Sequence, residues 1–421
     1  MNSLDIKINT GSDGYRKTVL DNGIRVVTEY IPSVRSVSVG AWVEAGSRHE
    51  SDTDAGMCHF IEHMVFKGTR TRRMHQIAER LESVGGYLNA FTTKEQTCYY
   101  ARALDDHLDR AIDTVCDLIL RPTFPVKEIE REKDVVVEEM KMYEDSAEDY
   151  AFDLLEGQLY KGDALGRPII GFEKTVRSFT RERLFAFMDS HYTGNRIVVA
   201  AAGNLQHDRV VKLVVKALKG ESLKTQQKQV HTIKKYAPTE LLKKRPTQQA
   251  HLLIGTRAYD VNHEDRAALS VLNTIIGGGM SSLLNQNIRE KYGYCYNIYS
   301  FCNMLADSGE FGVYMGTDPT KLKKSRRLIF RELDRMVDKE ISPRRLNKAA
   351  NQVKGSIILG LEGMGARMMR IARQELYYGR YFSLDEVMED VDSVTASDLK
   401  RVAGDLFDPA RFTTIELLPE A

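Results

Sequence analysis

The order strand, turn, helix, with a further strand late in the series, occurs twice along this chain. A plan repeated in that way restricts the fold to a duplicated domain, each copy a sheet faced by helices. In the first half, VLDNGIRVVTEY (19–30) sets Asn22-Gly23, a strong hairpin turn, between two apolar stretches. SVSVGAWVEAGSRHE (36–50) follows as an alternating strand, and NRIVVAAAGNL (195–205) supplies the late strand. In the second half, AHLLIGTRAYDVNHEDRAALSVL (250–272) reads as strand, charged turn and helix, and GDLFDPARFTTIELL (404–418) as the terminal strand. The stretch between the halves (218–249) is rich in Lys and Gln and poor in apolar residues, as a linker is. Domains are therefore expected over 1–220 and 236–421, joined by a linker at 221–235. A chain of 421 residues suits two such domains of about 200 residues each.

Composition narrows the partners. With 60 basic against 59 acidic side chains, the formal charge is +1, so no nucleic-acid footprint or charged membrane patch is expected. The longest apolar runs, such as IVVAAAG (197–203), are too short to span a bilayer. The first residues, MNSLDIKINTGSDGYRK, contain no apolar core of a signal peptide. Five cysteines, an odd number without a CxxC pair, point to a reducing compartment rather than a disulfide framework. A soluble cytoplasmic protein is the expectation, with a mature mitochondrial matrix protein as the second choice.

The chemistry concentrates in CHFIEHMVFKGT (58–69). His59 and His63 are four apart, so on a helix both imidazoles project from one face, with Glu62 bordering it. Two imidazoles suit zinc, and a catalytic zinc site keeps one position open for water. A third protein ligand must come from elsewhere. KEIEREKDVVVEEMKMYEDS (127–146) has apolar residues at helical spacing, and Glu132 and Glu139, seven apart, share one face of it. It therefore offers one ligand and, two turns away, a second carboxylate able to orient a ligand histidine. Cys58 faces roughly 100° away from His59 on such a helix and is left out of the ligand set.

The chain resembles the inverzincin metallopeptidases, whose HxxEH reverses the commoner HExxH. More narrowly it is similar to the insulinase/pitrilysin superfamily, and within it to the processing-peptidase branch, which includes the catalytic subunit of the mitochondrial processing peptidase and bacterial relatives. GMCHFIEHMVFKGT (56–69) matches the metal motif, and Glu139, 76 residues beyond His63, stands where the family places its distal metal glutamate. GGYLNAFTTKEQTCYY (85–100) matches the GGxxNAxT segment, and Arg289 and Tyr296, seven apart in GGGMSSLLNQNIREKYGYCYNIYS (277–300), match an Arg/Tyr pair. The second half has no HxxEH.

The resemblance implies an α+β fold of two duplicated domains, each a mainly antiparallel β-sheet flanked by helices, forming half of a clamshell. It implies Zn2+ held by His59, His63 and Glu139, with Glu132 in outer support and Glu62 as general base in peptide hydrolysis. Asn89, Ala90 and Phe91 would meet the substrate backbone, and Arg289 and Tyr296 would reach the scissile carbonyl from the non-metal domain. Peptide substrates follow, as does a homodimer whose composite sites borrow Arg289 and Tyr296 from the partner. The competing reading is a non-catalytic scaffold or peptide-binding subunit. Such subunits lose HxxEH or the distal glutamate, and both stand in this chain.

Overall fold

The computed structural model of the protein describes residues 14–221, 223–225 and 232–420. Residues 1–13, on which the expectation about a signal peptide falls, and residues 222 and 226–231 of the expected linker lie outside the described residues.

Among the described residues, six strands build the first sheet: β1 (Tyr15–Val19), β2 (Arg25–Tyr30), β3 (Ser36–Val43), β4 (Tyr87–Thr92), β5 (Thr97–Leu104) and β6 (Ile197–Gly203). Their spatial order is β1-β2-β6-β3-β5-β4, and only the β2/β6 pairing is parallel. The Asn22-Gly23 turn closes the β1/β2 hairpin, with Gly23 at φ 88. Among the described residues, five strands build the second sheet: β7 (Glu240–Arg245), β8 (Ala250–Ala258), β9 (Cys295–Met304), β10 (Gly309–Thr317) and β11 (Thr413–Pro419). Their order is β7-β11-β8-β10-β9, again with one parallel pairing, β7/β11. With β1 set aside, both sheets run first strand, last, second, fourth, third. The duplication expected from the sequence is thus a duplication of topology, and β4 and β9 occupy equivalent edges. Strand β7 falls inside the Lys-rich stretch that reads as linker. Its alternate residues are exposed and half-buried, which is how a charged sequence serves as an edge strand.

In chain order the α-helices begin with α1 (Met57–Val65), α2 (Met74–Glu82), α3 (Leu108–Leu120), α4 (Val126–Asp145) and α5 (Ala147–Leu159). Two compact units result, and each takes a helix from the other half of the sequence. The first runs through Met140, resumes at Arg167 and takes back Gly360–Ser383. The second takes Lys141–Gly166, runs from Thr232 to Leu359 and resumes at Leu384.

Strand periodicity explains this division. In the first unit, Val37, Val39, Ala41 and Val43 of β3 face a core shared with α1 and α3. Trp42, Val27, Val198, Ala200 and Ala202 point to the opposite face, where Met368, Ile371 and Ala372 of the helix Met364–Tyr378 cover them. In the second unit, Leu252, Ile254, Val313 and Met315 face one core, and Leu253, Tyr314, Ile415 and Leu417 face another closed by Ala151, Leu155 and Leu159 of α5. Strands buried on both faces read as continuous apolar runs, as IVVAAAG does. Gly255 in β8 lets α5 come down onto the sheet, because a Cβ there would lie 2.7 Å from Leu155 Cδ2. Burial of Leu155 and Leu159 contributes roughly 1.5–3 kcal/mol apiece. The helix Met364–Tyr378 is also tied by charge. Lys17 Nζ lies 2.8 Å from the buried Glu375 carboxylate, and Arg367 bonds Glu29 at 2.5 Å. Among the described residues no helix is long and apolar enough to cross a membrane.

Candidate metal centre

Helix α1 buries Met57, Cys58, Phe60, Ile61, Met64 and Val65 in the first unit's core. What remains on its open side is His59, Glu62 and His63, the i, i+3, i+4 set. The start of the helix is fixed from below. Gly56 precedes it at φ 92, a left-handed conformation that glycine adopts without strain, and a Cβ there would lie 2.6 Å from the Ile170 carbonyl oxygen. The Glu50 carboxylate accepts the Gly56 N–H at Oε2 and the Cys58 N–H at Oε1, each at 2.8 Å. These are donors that a helix N-terminus otherwise leaves unpaired. Burial pushes the Glu50 carboxyl up to about 7, against the pull of those two N–H groups.

Helix α4 brings the second set of groups, and it forms over the stretch that the sequence marks for it. Glu139 Oε1 lies 3.8 Å from His59 Nε2, and Glu139 Oε2 lies 3.6 Å from His63 Nε2. One ligand atom from each of the three residues falls within 4.8 Å of the others. These separations are too long for hydrogen bonds and leave room for an ion among the three atoms. Among the described residues His59 Nδ1 is buried without a hydrogen-bond partner, and it is Nε2 that faces Glu139. Two imidazole nitrogens and one carboxylate oxygen are the donor set of a three-ligand zinc site, and the residues present fit it. Among the described residues no other trio of His, Cys, Asp or Glu converges in this way.

The surroundings orient this set. His63 Nδ1 and Glu132 Oε1 are 2.9 Å apart, which leaves Nε2 turned toward Glu139. Glu132 Oε2 in turn meets Lys67 Nζ at 2.6 Å. Burial, and then neighbouring His63, lower the His59 imidazole to about 3, so it is neutral near pH 7. Burial alone would lower His63 as well, but the bond to Glu132 and the charge of Glu139 raise it overall. Burial raises Glu62 and Glu139 above the ordinary carboxylate range. Burial would raise Glu132 too, yet its bonds to His63 and Lys67 bring it below that range.

Glu62 has a partner to which no motif in the sequence points. Thr92 Oγ1, at the end of β4, donates to Glu62 Oε2 at 2.6 Å. Lys67 and Glu50 were likewise missed. All three lie in stretches already singled out, but nothing in their spacing says which side chain they meet. Asn89, Ala90 and Phe91 sit on β4, the outer strand of the six-stranded sheet. Asn89 is exposed, and its Oδ1 accepts the Ala90 N–H at 2.8 Å. Arg289 and Tyr296 belong to the other compact unit. Arg289 lies on a π-helical turn, Asn285–Glu290, where Asn287 donates to Glu332 Oε2 at 2.8 Å. Its guanidinium stands over the Tyr296 ring, 5.2 Å from the centroid, and Tyr296, on edge strand β9, is 81% exposed. These two are brought together with each other.

Residues 25–173 match the insulinase family, peptidase family M16, and residues 178–353 match the peptidase M16 inactive domain. An uncharacterized zinc protease of Streptomyces coelicolor is 40% identical over 409 residues, 95% of this chain and 89% of that one. Another, from Bacillus subtilis, is 39% identical over 397 residues, 93% of this chain and 95% of that one. The chain belongs to the insulinase family, peptidase family M16. Solved structures agree on the fold. A protease from Helicobacter pylori superposes with a TM-score of 0.89 at 22% identity, over 96% of this chain and 99% of that one. A peptidase M16 inactive domain from Pseudomonas fluorescens gives 0.89 at 18% identity, over 97% and 98%. The insulinase-family chain thus has a zinc-protease-like fold, with a candidate His/His/Glu metal site in its first unit.

Proposed function

We propose that this chain is a zinc-dependent endopeptidase of the processing-peptidase branch, acting on unfolded peptides or presequence-like segments. The observation that carries the reading is the convergence of His59, His63 and Glu139 around one point, with Glu62 on the same helix face. In this reading residues 1–220 form the catalytic domain, and residues 236–421 form a non-metal domain that contributes substrate contacts. His59, His63 and Glu139 would hold the metal, and Glu132 would keep the His63 ring in the tautomer whose Nε2 is free. Bound zinc supplies Lewis-acid polarisation of the peptide carbonyl and makes water a nucleophile near neutral pH.

The chain's own residues do the rest. Glu62 takes the proton of the attacking water and returns it to the leaving amine, and the Thr92 hydroxyl holds the carboxylate in one orientation for both transfers. Edge strand β4, with Asn89, Ala90 and Phe91, pairs with an extended substrate through main-chain hydrogen bonds, which tolerate many sequences. Arg289 and Tyr296 offer a guanidinium fork and a hydroxyl to the developing charge of the carbonyl oxygen. The reading includes a homodimer in which each site takes that pair from the partner, and a cytoplasmic setting in keeping with the bacterial relatives.

The test is cleavage of an unstructured peptide by the purified chain before chelation, after chelation and after zinc is returned. Loss followed by recovery is the expected result. Cleavage that persists in the metal-free chain would remove the metallopeptidase reading.

A further inference from the structure

The proposed zinc centre has a support that extends one residue beyond Glu132. Glu132 is 5% exposed, and each of its carboxylate oxygens is taken by one partner. His63 Nδ1 stands at 2.9 Å from Oε1, and Lys67 Nζ at 2.6 Å from Oε2. Lys67 follows the end of α1, four residues after His63, and its own N–H bonds the Met64 carbonyl at 3.1 Å. The turn that ends the helix therefore carries the ammonium back over Glu132. This is not a loose surface pair, since the Lys67 side chain is 22% exposed and that of Glu132 is 6%. A buried carboxylate keeps its charge only where a counter-charge and hydrogen bonds replace water.

We propose that Lys67 is a positioning residue of the zinc site, the third member of a His63–Glu132–Lys67 chain that holds the His63 ring with Nε2 facing Glu139. The inference rests on the reading of His59, His63 and Glu139 as that site. Bonded at both oxygens, Glu132 cannot swing away from His63. With Nδ1–H held by Glu132, the Nε2 lone pair is committed to the metal. Without Lys67, Glu132 Oε2 loses its partner and the carboxylate is free to turn toward water. The His63 ring then samples both tautomers, and only one of them binds.

The sign of the effect separates this role from a simple charge effect. Removal of a positive charge beside a cation site should by itself tighten zinc binding. Removal of a positioning residue should loosen it.

The experiment is competition of the full-length protein with a chelator for zinc, read as a dissociation constant and independent of turnover. Lys67→Met is expected to weaken zinc binding by about 10–100-fold, as loss of a ligand's hydrogen-bonding support does. Lys67→Arg should recover most of the loss. In the Glu132→Gln background, Lys67→Met should change the constant by less than about twofold, because the residue it acts through is already altered. If Lys67→Met does not fold, as judged by thermal unfolding of the metal-free chain, Lys67→Gln carries the same comparison. Unchanged or tighter zinc binding in the lysine variant would overturn the proposal. So would an equal loss in both backgrounds, since that would mean Lys67 acts elsewhere. A wild-type chain that takes up no zinc would overturn the zinc reading itself and this inference with it.

Discussion

Thr92 and Glu50 both act on helix α1, one on a carboxylate it presents and one on its first turn. A hydrogen bond to a charged group contributes about 1.5–3 kcal/mol, so Thr92→Val should lower kcat about 10–100-fold if the Thr92 hydroxyl holds the base in place. KM should stay within about twofold, and Thr92→Ser should restore the rate; steady-state kinetics on one peptide checks both. Glu50 gives a pH prediction. Its carboxyl is raised from an ordinary 4.5 to about 7, so the fold favours the protonated form relative to the unfolded chain. That contribution to stability is fully present below about pH 4.5 and is lost as pH rises through about 7. The stability of the wild type relative to Glu50→Gln should therefore fall by on the order of 3 kcal/mol across this window, as read by urea denaturation at several pH values. The pattern of α1 was legible in the sequence, because apolar and polar residues segregate at helical spacing in a nine-residue segment. Glu50, Lys67 and Thr92 were not legible. Each meets its partner through a turn or across a strand-helix contact, and no sequence period encodes such contacts.

The exchanged helices show a second limit of sequence reading. Both halves were legible as strand and helix series because their strands alternate or run apolar. The repeated sheet order follows from that plan. Which helix covers which face was not legible. Helix α5 and the helix Met364–Tyr378 carry ordinary apolar stripes, and a stripe alone does not name the sheet it covers. Their placement depends on steric detail such as Gly255 beneath Leu155, and on ion pairs to buried carboxylates such as Arg367 with Glu29. Strand β7 was hidden for another reason, since its lysines and arginine satisfy an edge strand as well as a linker. The exchange makes a prediction. A fragment of residues 236–421 lacks α5 and exposes Leu253, Tyr314, Ile415 and Leu417. It should show no cooperative unfolding transition and should aggregate, whereas a fragment that also carries residues 141–166 should gain a transition in thermal or urea melts. Equal cooperativity with and without that segment would contradict the packing role assigned to α5.

At the scale of the whole molecule, the proposed homodimer has its own test. Sedimentation under active conditions should give a dimer, and a mixture of Glu62→Gln and Arg289→Ala chains should regain part of the activity that each lacks alone. Monomers with full activity would remove the composite site while leaving the metal site intact. The central claim, that α1 and α4 assemble a hydrolytic zinc centre with Glu62 as its base, is tested most directly by zinc content and peptide cleavage measured on the same preparations of wild type and Glu62→Gln. The account predicts about one zinc per chain in both, with cleavage reduced about 100-fold or more in the variant alone. A variant that binds zinc and still cleaves at the wild-type rate would contradict it.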